Sequence, residues 1–336
     1  LARPTPLPAP DAVAFTTTRD GLRLALHRYH ARGEPRQHAV MLCHGLGANH
    51  HAFDIAHEIS LARYLTRRGY DVFAVDLRGH GASERPRDFH WAFDDYLLSD
   101  VPALLAAASR LTEARPLHWI GHSMGGLLAY AHLACADAPG LRSAITVGSS
   151  LDYSVAHSEF QRLMPLRSLL RRLPAIPVRS IARASSRFAG RLPTPFETFN
   201  VWRSNVSPAH WRTVCEAVFH PVSPPVMDQL ASAMQAGGLR SRDGRRAYFD
   251  GLAAVRAPVL ALAGDRDRQC PPEAARHTSE ALGSATRRVA VFGKDHGHHD
   301  HYGHFDLVIG RRAPTEVFPV IGAWLDEHDH LLREDS

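Results

Sequence analysis

Lysine is all but missing from these 336 residues: Lys294 stands alone, and the rest of the 39 basic positions are arginine. Against 34 acids the formal charge is only +5, with both signs interspersed. That balance does not give the concentrated basic patch that nucleic-acid binding requires, so no nucleic-acid partner is expected. The one dense basic stretch, Arg167 to Arg187, is interleaved with Leu169, Leu170, Leu173, Ile176 and Ile181. It suits an amphipathic segment at a substrate mouth or at a peripheral membrane contact. Long apolar runs are missing too. Stretches such as Ala39 to Cys43 fall far short of the ~20 residues a membrane span needs. Cysteine is scarce, and Cys43, Cys135, Cys215 and Cys270 are widely spaced with no CxxC. Cys43 in an apolar strand pattern and Cys135 at a helix end read as buried thiols, so no redox compartment is specified. No basic-then-apolar leader opens the chain, which starts at Leu1 and not at methionine. The expected address is cytoplasmic, or exported if a leader was removed.

What is present is a large apolar fraction, 45% against 22% charged, enough for one sizeable core. Residues 1–10 carry four prolines and read as an extended arm. Phe15–Thr18 and Leu22–Tyr29 alternate around Asp20-Gly21 as an opening hairpin. Short apolar strands are expected at His38–Cys43, Tyr70–Val75, Leu117–Ile120, Ser143–Val147, Pro258–Ala263 and Arg288–Phe292. Helices are expected at Phe53–Arg68, Asp94–Leu111, Ser123–Cys135 and Thr315–His328. Pro102 must sit in the first turns of the second helix or break it. Strands alternating with helices imply a mostly parallel sheet covered on both faces. From Asp152 to Asp250 the rhythm stops and proline-separated amphipathic pieces take over. The expected organisation is therefore a core of residues 11–151 and 251–332, with a helical cap at 152–250.

Gly121-His122-Ser123-Met124-Gly125-Gly126 lies between an expected strand and an expected helix. A serine thrust out at such a turn needs strained backbone angles, and side chains at Gly121 and Gly125 would crowd it. Ser123 is the expected nucleophile. The Met124 N–H, at the helix N-terminus, can donate to a developing oxyanion. The second donor is expected from His44-Gly45-Leu46-Gly47, at Leu46, with the His44 ring shaping that loop.

In order along the chain stand His44-Gly45, Asp76-Leu77-Arg78-Gly79-His80-Gly81-Ala82-Ser83, the GxSxG turn, Gly264-Asp265-Arg266-Asp267 and a late histidine. With these motifs the sequence resembles the α/β-hydrolase superfamily over nearly its whole length. The segment Tyr302 to Gly310 is similar to acid-lipase-like enzymes and to relatives of polyhydroxyalkanoate synthases. Polymer synthases of the latter group carry cysteine in the elbow, so Ser123 points to transfer to water. The resemblance implies an α/β-hydrolase fold and a structural role for the Asp76–Ser83 turn. It also implies an orienting carboxylate at Asp267 and a base at His304. Asp265 remains the alternative acid, Asp152 a weaker one, and His298 the alternative base, because His296, His298, His299, His301 and His304 crowd one loop. That density could suggest a metal, but no HExxH accompanies it; no metal and no cofactor are expected.

The expected reaction is hydrolysis of carboxylic esters through an acyl-enzyme. The cap is rich in Phe160, Leu163, Met164, Leu166, Phe188, Phe196, Phe199, Trp202, Trp211, Phe219 and Met227. Most of these are expected to pack the cap and its seam, the remainder lining a pocket for a bulky apolar acyl group. The partner is thus a small apolar ester. Thioesterase, amidase and hydroxyalkanoate-oligomer hydrolase share the elbow chemistry. A non-catalytic ligand-binding protein on the same fold is the alternative of another class. Epoxide and haloalkane hydrolases would need an aspartate at position 123.

Overall fold

Strands without an exposed residue need cover on both faces, and five of them run through the middle of the central sheet. The computed structural model describes residues 7–113, 116–135 and 140–329. Its strands are β1 (Ala12–Thr17), β2 (Arg23–Tyr29), β3 (Val40–Cys43), β4 (Asp54–Ala56), β5 (Ile59–Ser60), β6 (Val72–Asp76), β7 (His118–His122), β8 (Ser143–Val147), β9 (Val259–Gly264) and β10 (Arg287–Phe292). β4 and β5 form a small ribbon; the other eight make one sheet in the order β1-β2-β6-β3-β7-β8-β9-β10. β1 and β2 run antiparallel, and every pairing from β6 to β10 is parallel. The wholly buried strands of this sheet are β3, β6, β7, β8 and β9.

Helices cover each face. Leu61–Arg67 and Ala313–His328 bury Leu65, Phe318 and Trp324 in one core layer. Val101–Leu111, Met124–Leu133 and Pro272–Glu280 bury Leu104, Leu128 and Ala274 in the other. β3 lies between β6 and β7, so the chain leaves it first to one side and then to the other. Such a switch opens a crevice at the carboxyl ends of the strands, where the loop after β3 and the turn after β7 meet.

The helix expected over Phe53–Arg68 is confined to Leu61–Arg67. Ser60 stops it from starting earlier: its Oγ accepts the Arg63 N–H at 3.0 Å as an N-cap. Ile55 and Ile59, whose spacing fits a helix face, are buried in the β4/β5 ribbon instead. Pro102 neither breaks its helix nor waits in the opening turn. Residues Phe93–Asp95, Tyr96–Asp100 and Val101–Leu111 are consecutive, with the middle five in a π-helical turn. The wider turn accommodates a ring that has no N–H to give.

Between β8 and β9 the chain adds helices, among them Val178–Ser186, Pro195–Asn200, Pro208–Ala217 and Pro224–Leu230, and no strand of the sheet. Their buried side chains do not form a core of their own. Ile176, Val222 and Val226 join one layer, while Ala182, Trp211, Val214 and Phe219 join the other. Of the large apolar residues expected to pack here, Met227 and Phe196 rest against the two layers and Phe160 packs on Phe199. Trp211 and Phe219 are buried, Phe160, Phe196 and Phe199 are half-buried, and Leu166, Phe188 and Trp202 are exposed. The side chain of Leu163 and residues 1–6 of the expected arm lie outside the described residues. All four cysteines are free thiols; Cys43, Cys215 and Cys270 are buried, but Cys135 is only half-buried where its helix ends.

Candidate active site

The turn after β7 fixes the position of Ser123. Its backbone has φ 53° and ψ −120°, a left-handed conformation that costs a non-glycine residue roughly 1–3 kcal/mol and persists only where neighbours enforce it. Enforcement is visible on both sides. The Ser123 N–H donates to the Val147 carbonyl at 2.8 Å, and the Ser149 hydroxyl donates to the Ser123 carbonyl at 2.8 Å. The flanking glycines permit the close approach. A Cβ on Gly121 would lie 2.2 Å from the Gly125 carbonyl oxygen, and one on Gly125 would lie 2.1 Å from that of Cys43.

Asp267 follows β9. Its Oδ1 accepts the N–H groups of Gln269 at 2.8 Å and Cys270 at 2.9 Å. Its Oδ2 lies 2.7 Å from Nδ1 of His304, and both side chains are almost fully buried. A carboxylate accepts, so Nδ1 carries the proton and Nε2 holds the lone pair. That Nε2 is buried with no hydrogen-bond partner. His304 is held next to the Ser123 turn through His122: the rings are 4.7 Å apart, and His122 Nε2 donates to the His304 carbonyl at 3.1 Å. Burial drives the His122 pKa well below the ordinary range, with the neighbouring His304 adding to the effect.

The other candidates have different partners. Asp265 binds the His301 ring and, at 3.0 Å, the Tyr302 N–H. His298 Nδ1 faces the backbone of Gly293 at 3.2 Å, and its ring lies against Phe292. Asp152 accepts the Ser154 N–H at 2.8 Å. His299 pairs with Glu316 at 2.6 Å. Four of the five crowded rings thus have separate partners, and His296 is exposed.

Leu46 and Met124 both line the cleft beside Ser123. Met124 is the first residue of its helix, where N–H groups have no acceptor one turn back. His44 braces the opposite loop. Its Nδ1 donates to the Gly45 carbonyl at 2.8 Å and its Nε2 accepts the Leu77 N–H at 3.1 Å. Burial lowers its pKa to about 4, so the ring is neutral and can serve both bonds.

The Asp76–Ser83 turn is tied internally. Asp76 accepts the N–H groups of His50 and Ala82 at 2.9 Å each, and the rings of His27 and His50 at 2.8 and 3.0 Å. Arg78 is buried between Asp100 and Asp20. His27, His50 and Asp76 are the one group of converging metal-type ligands among the described residues. The two rings, however, stack at 3.4 Å and 14°. Ring lone pairs lie in the ring plane, so two nearly parallel planes do not aim at a common ion; the trio fits a hydrogen-bonded brace of the turn better than a metal.

A cleft with about 750 Å³ of empty space opens over Ser123. Tyr153, Phe160, Met164, Leu170, Met227 and Met234 line it, and Arg167, Arg171 and Asp228 are its charged members. Of these, Phe160, Met164 and Met227 were visible in the sequence as cap apolar residues. Tyr153 and Met234 carried no signal, since which apolar side chain faces a cleft is set by the packing of distant helices.

Known proteins bear on this geometry. A family model described as Hydrolase_4, "Serine aminopeptidase, S33", matches residues 34–217. Human lipase member K is 33% identical over 129 residues, which is 34% of this chain and 32% of that protein. Lipase lipl-3 of Caenorhabditis elegans is 27% identical over 144 residues, 38% of this chain and 35% of that protein. The chain thus spans about a third of the length of these curated relatives. Among solved structures, a monoacylglycerol lipase from Paleococcus ferrophilus superposes with TM-score 0.60 at 20% identity, covering 90% of this chain and 99% of that one. A thermophilic esterase from Thermogutta terrifontis gives 0.62 at 19%, covering 95% and 100%. The family model spans more than half of the chain and the fold agrees over 95% of it, so the chain belongs to the Hydrolase_4 family of α/β-hydrolases.

Proposed function

We propose that this protein is a serine hydrolase of carboxylic esters with an apolar acyl group. The observation that carries the reading is the strained Ser123 at the floor of a mostly apolar cleft, near a buried His304–Asp267 pair whose Nε2 has no hydrogen-bond partner. In this reading Ser123 Oγ attacks the ester carbonyl and His304 Nε2 takes its proton. Asp267 keeps the ring in the required tautomer and balances the imidazolium. The N–H groups of Leu46 and Met124 receive the oxyanion. His304 then protonates the departing alcohol, and water attacks the acyl-enzyme by the same route. Residues 152–250 act as the cap that shapes the acyl pocket, on a core of residues 11–151 and 251–332.

The family description speaks of aminopeptidase activity, which makes an amide the second reading. Capture of a free α-amine asks for an unengaged carboxylate near Ser123. Asp228 is the acid lining the cleft, and Arg167 already holds it. That favours the ester. Thioesters and hydroxyalkanoate oligomers would use the same acyl-enzyme.

The test is steady-state hydrolysis of p-nitrophenyl esters from acetate to palmitate beside leucine p-nitroanilide. We expect ester turnover peaking at medium or long chains and a loss of at least about 10³-fold in Ser123→Ala. Turnover of the anilide alone, or ester turnover unchanged by Ser123→Ala, would overturn the reading.

A further inference from the structure

Between Phe160 and Phe196 the chain contains eight arginines, no lysine and no acid. On a surface where both signs are otherwise mixed, this is a local excess of positive charge. Three side chains of the group are partly neutralised, Arg167 and Arg171 by Asp228 and Arg162 by Glu159. Arg172, Arg183, Arg187 and Arg191 are exposed and have no ion-pair partner among the described residues.

The same stretch also displays apolar side chains to solvent. Leu166, Leu169, Ile181, Phe188 and Leu192 are 47–61% exposed, and Leu169 and Leu192 are the two most exposed large apolar residues among the described residues. Their placement is ordered. On the helix Val178–Ser186 and the turn that follows, Ala182, Ser185, Ser186 and Ala189 face inward. Ile181 and Phe188, with Arg183 and Arg187, face outward. In the segment 159–170, Phe160, Met164 and Leu170 line the cleft while Leu166 and Leu169 point away from the protein. One short stretch therefore has the cleft on one side and exposed leucines on the other.

Nucleic acid would answer the charge but leave the apolar side chains in water. A soluble apolar partner would leave the arginines unmatched. An interfacial segment needs both features together: apolar groups that enter the acyl boundary and arginines that meet anionic head groups. From this charge complementarity we propose that residues 160–192 dock the protein on an anionic lipid surface through the face turned away from the cleft. The inference goes beyond the acyl-transfer reading and does not need it.

The test is sedimentation with vesicles of phosphatidylcholine alone and with about 30 mol % phosphatidylserine, scored as bound protein rather than activity. The variant is Arg172→Gln, Arg183→Gln, Arg187→Gln and Arg191→Gln combined. None of the four lines the cleft, so turnover of a short soluble ester and the circular dichroism spectrum serve as folding controls. Binding is expected on the anionic vesicles only, weakened at least about tenfold by the variant and comparably by high salt. A second variant, Leu169→Ser with Phe188→Ser, is expected to weaken binding while keeping its salt dependence. No binding to either vesicle, equal binding to both, or anionic binding untouched by the quadruple variant would overturn the proposal. So would vesicle binding that duplex DNA matches in affinity and that both serine substitutions leave unchanged.

Discussion

Several histidines near the switch point, His122 among them, are held neutral by burial, and this has a consequence for acid stability. His44 is lowered to about 4 and His80 to about 3; His51 and His220 are each lowered to about 4. In the unfolded chain each titrates near 6.5. Below that pH the unfolded state binds protons that the folded state refuses, so stability is complete above about pH 6.5 and falls as pH drops toward 4. His44 and His80, both fully buried, should each contribute a slope of up to about 1.4 kcal/mol per pH unit across that window. Urea unfolding at pH 7, 6 and 5 reads this directly. Stability that is flat or rising toward pH 5 would contradict it. At the same scale, Gly125→Ala should destabilise the protein by about 3 kcal/mol or more, because its new Cβ would meet the Cys43 carbonyl carbon and oxygen, which are backbone and cannot rotate away. A denaturant midpoint equal to that of the parent would show that the turn has slack.

Elements meet at the loop that carries His304. Asp306 is buried beyond His304, and its carboxylate accepts the N–H groups of Gly303 at 2.8 Å and Trp202 at 2.9 Å. The Phe305 N–H donates to the Asn200 carbonyl at 2.9 Å. The segment between β8 and β9 thus grips the loop that carries His304. Burial pushes the Asp306 carboxyl well above the ordinary range, so a neutral amide resembles it closely. Asp306→Asn should keep most of its ester turnover. Asp306→Ala should lose about tenfold or more in kcat with KM little changed, since positioning and not binding is removed. Equal kcat in both variants would remove Asp306 from the positioning role.

The central strands could be read from sequence to within a residue or two. A short run buried on both faces has only one apolar pattern, as in Ser143–Val147. The early helix could not, because Ile55, Ile59, Ala62 and Leu65 fit a helical face equally well whether or not Ser60 caps the chain first. Ser123 was legible because its glycines are neighbours in sequence. Its proposed partners were harder. The five late histidines are alike locally, and what separates them is a carboxylate brought from elsewhere: Glu316 to His299, Asp265 to His301, Asp267 to His304. The lining of the cleft was least legible, being set where helices from one segment pack over a turn from another.

At the scale of the whole molecule, residues 152–250 contribute to both hydrophobic layers. Unfolding should therefore be a single calorimetric transition, with van't Hoff and calorimetric enthalpies in agreement. Two resolved transitions would show that residues 152–250 melt alone. The shared packing has a further bearing on altering the enzyme. Met227, Leu230 and Met234 line the cleft and also rest against the layer that contains Leu128 and Tyr130. Selectivity and heat resistance are written in the same side chains here, and a mutant library aimed at the first will sample the second whether or not it is selected.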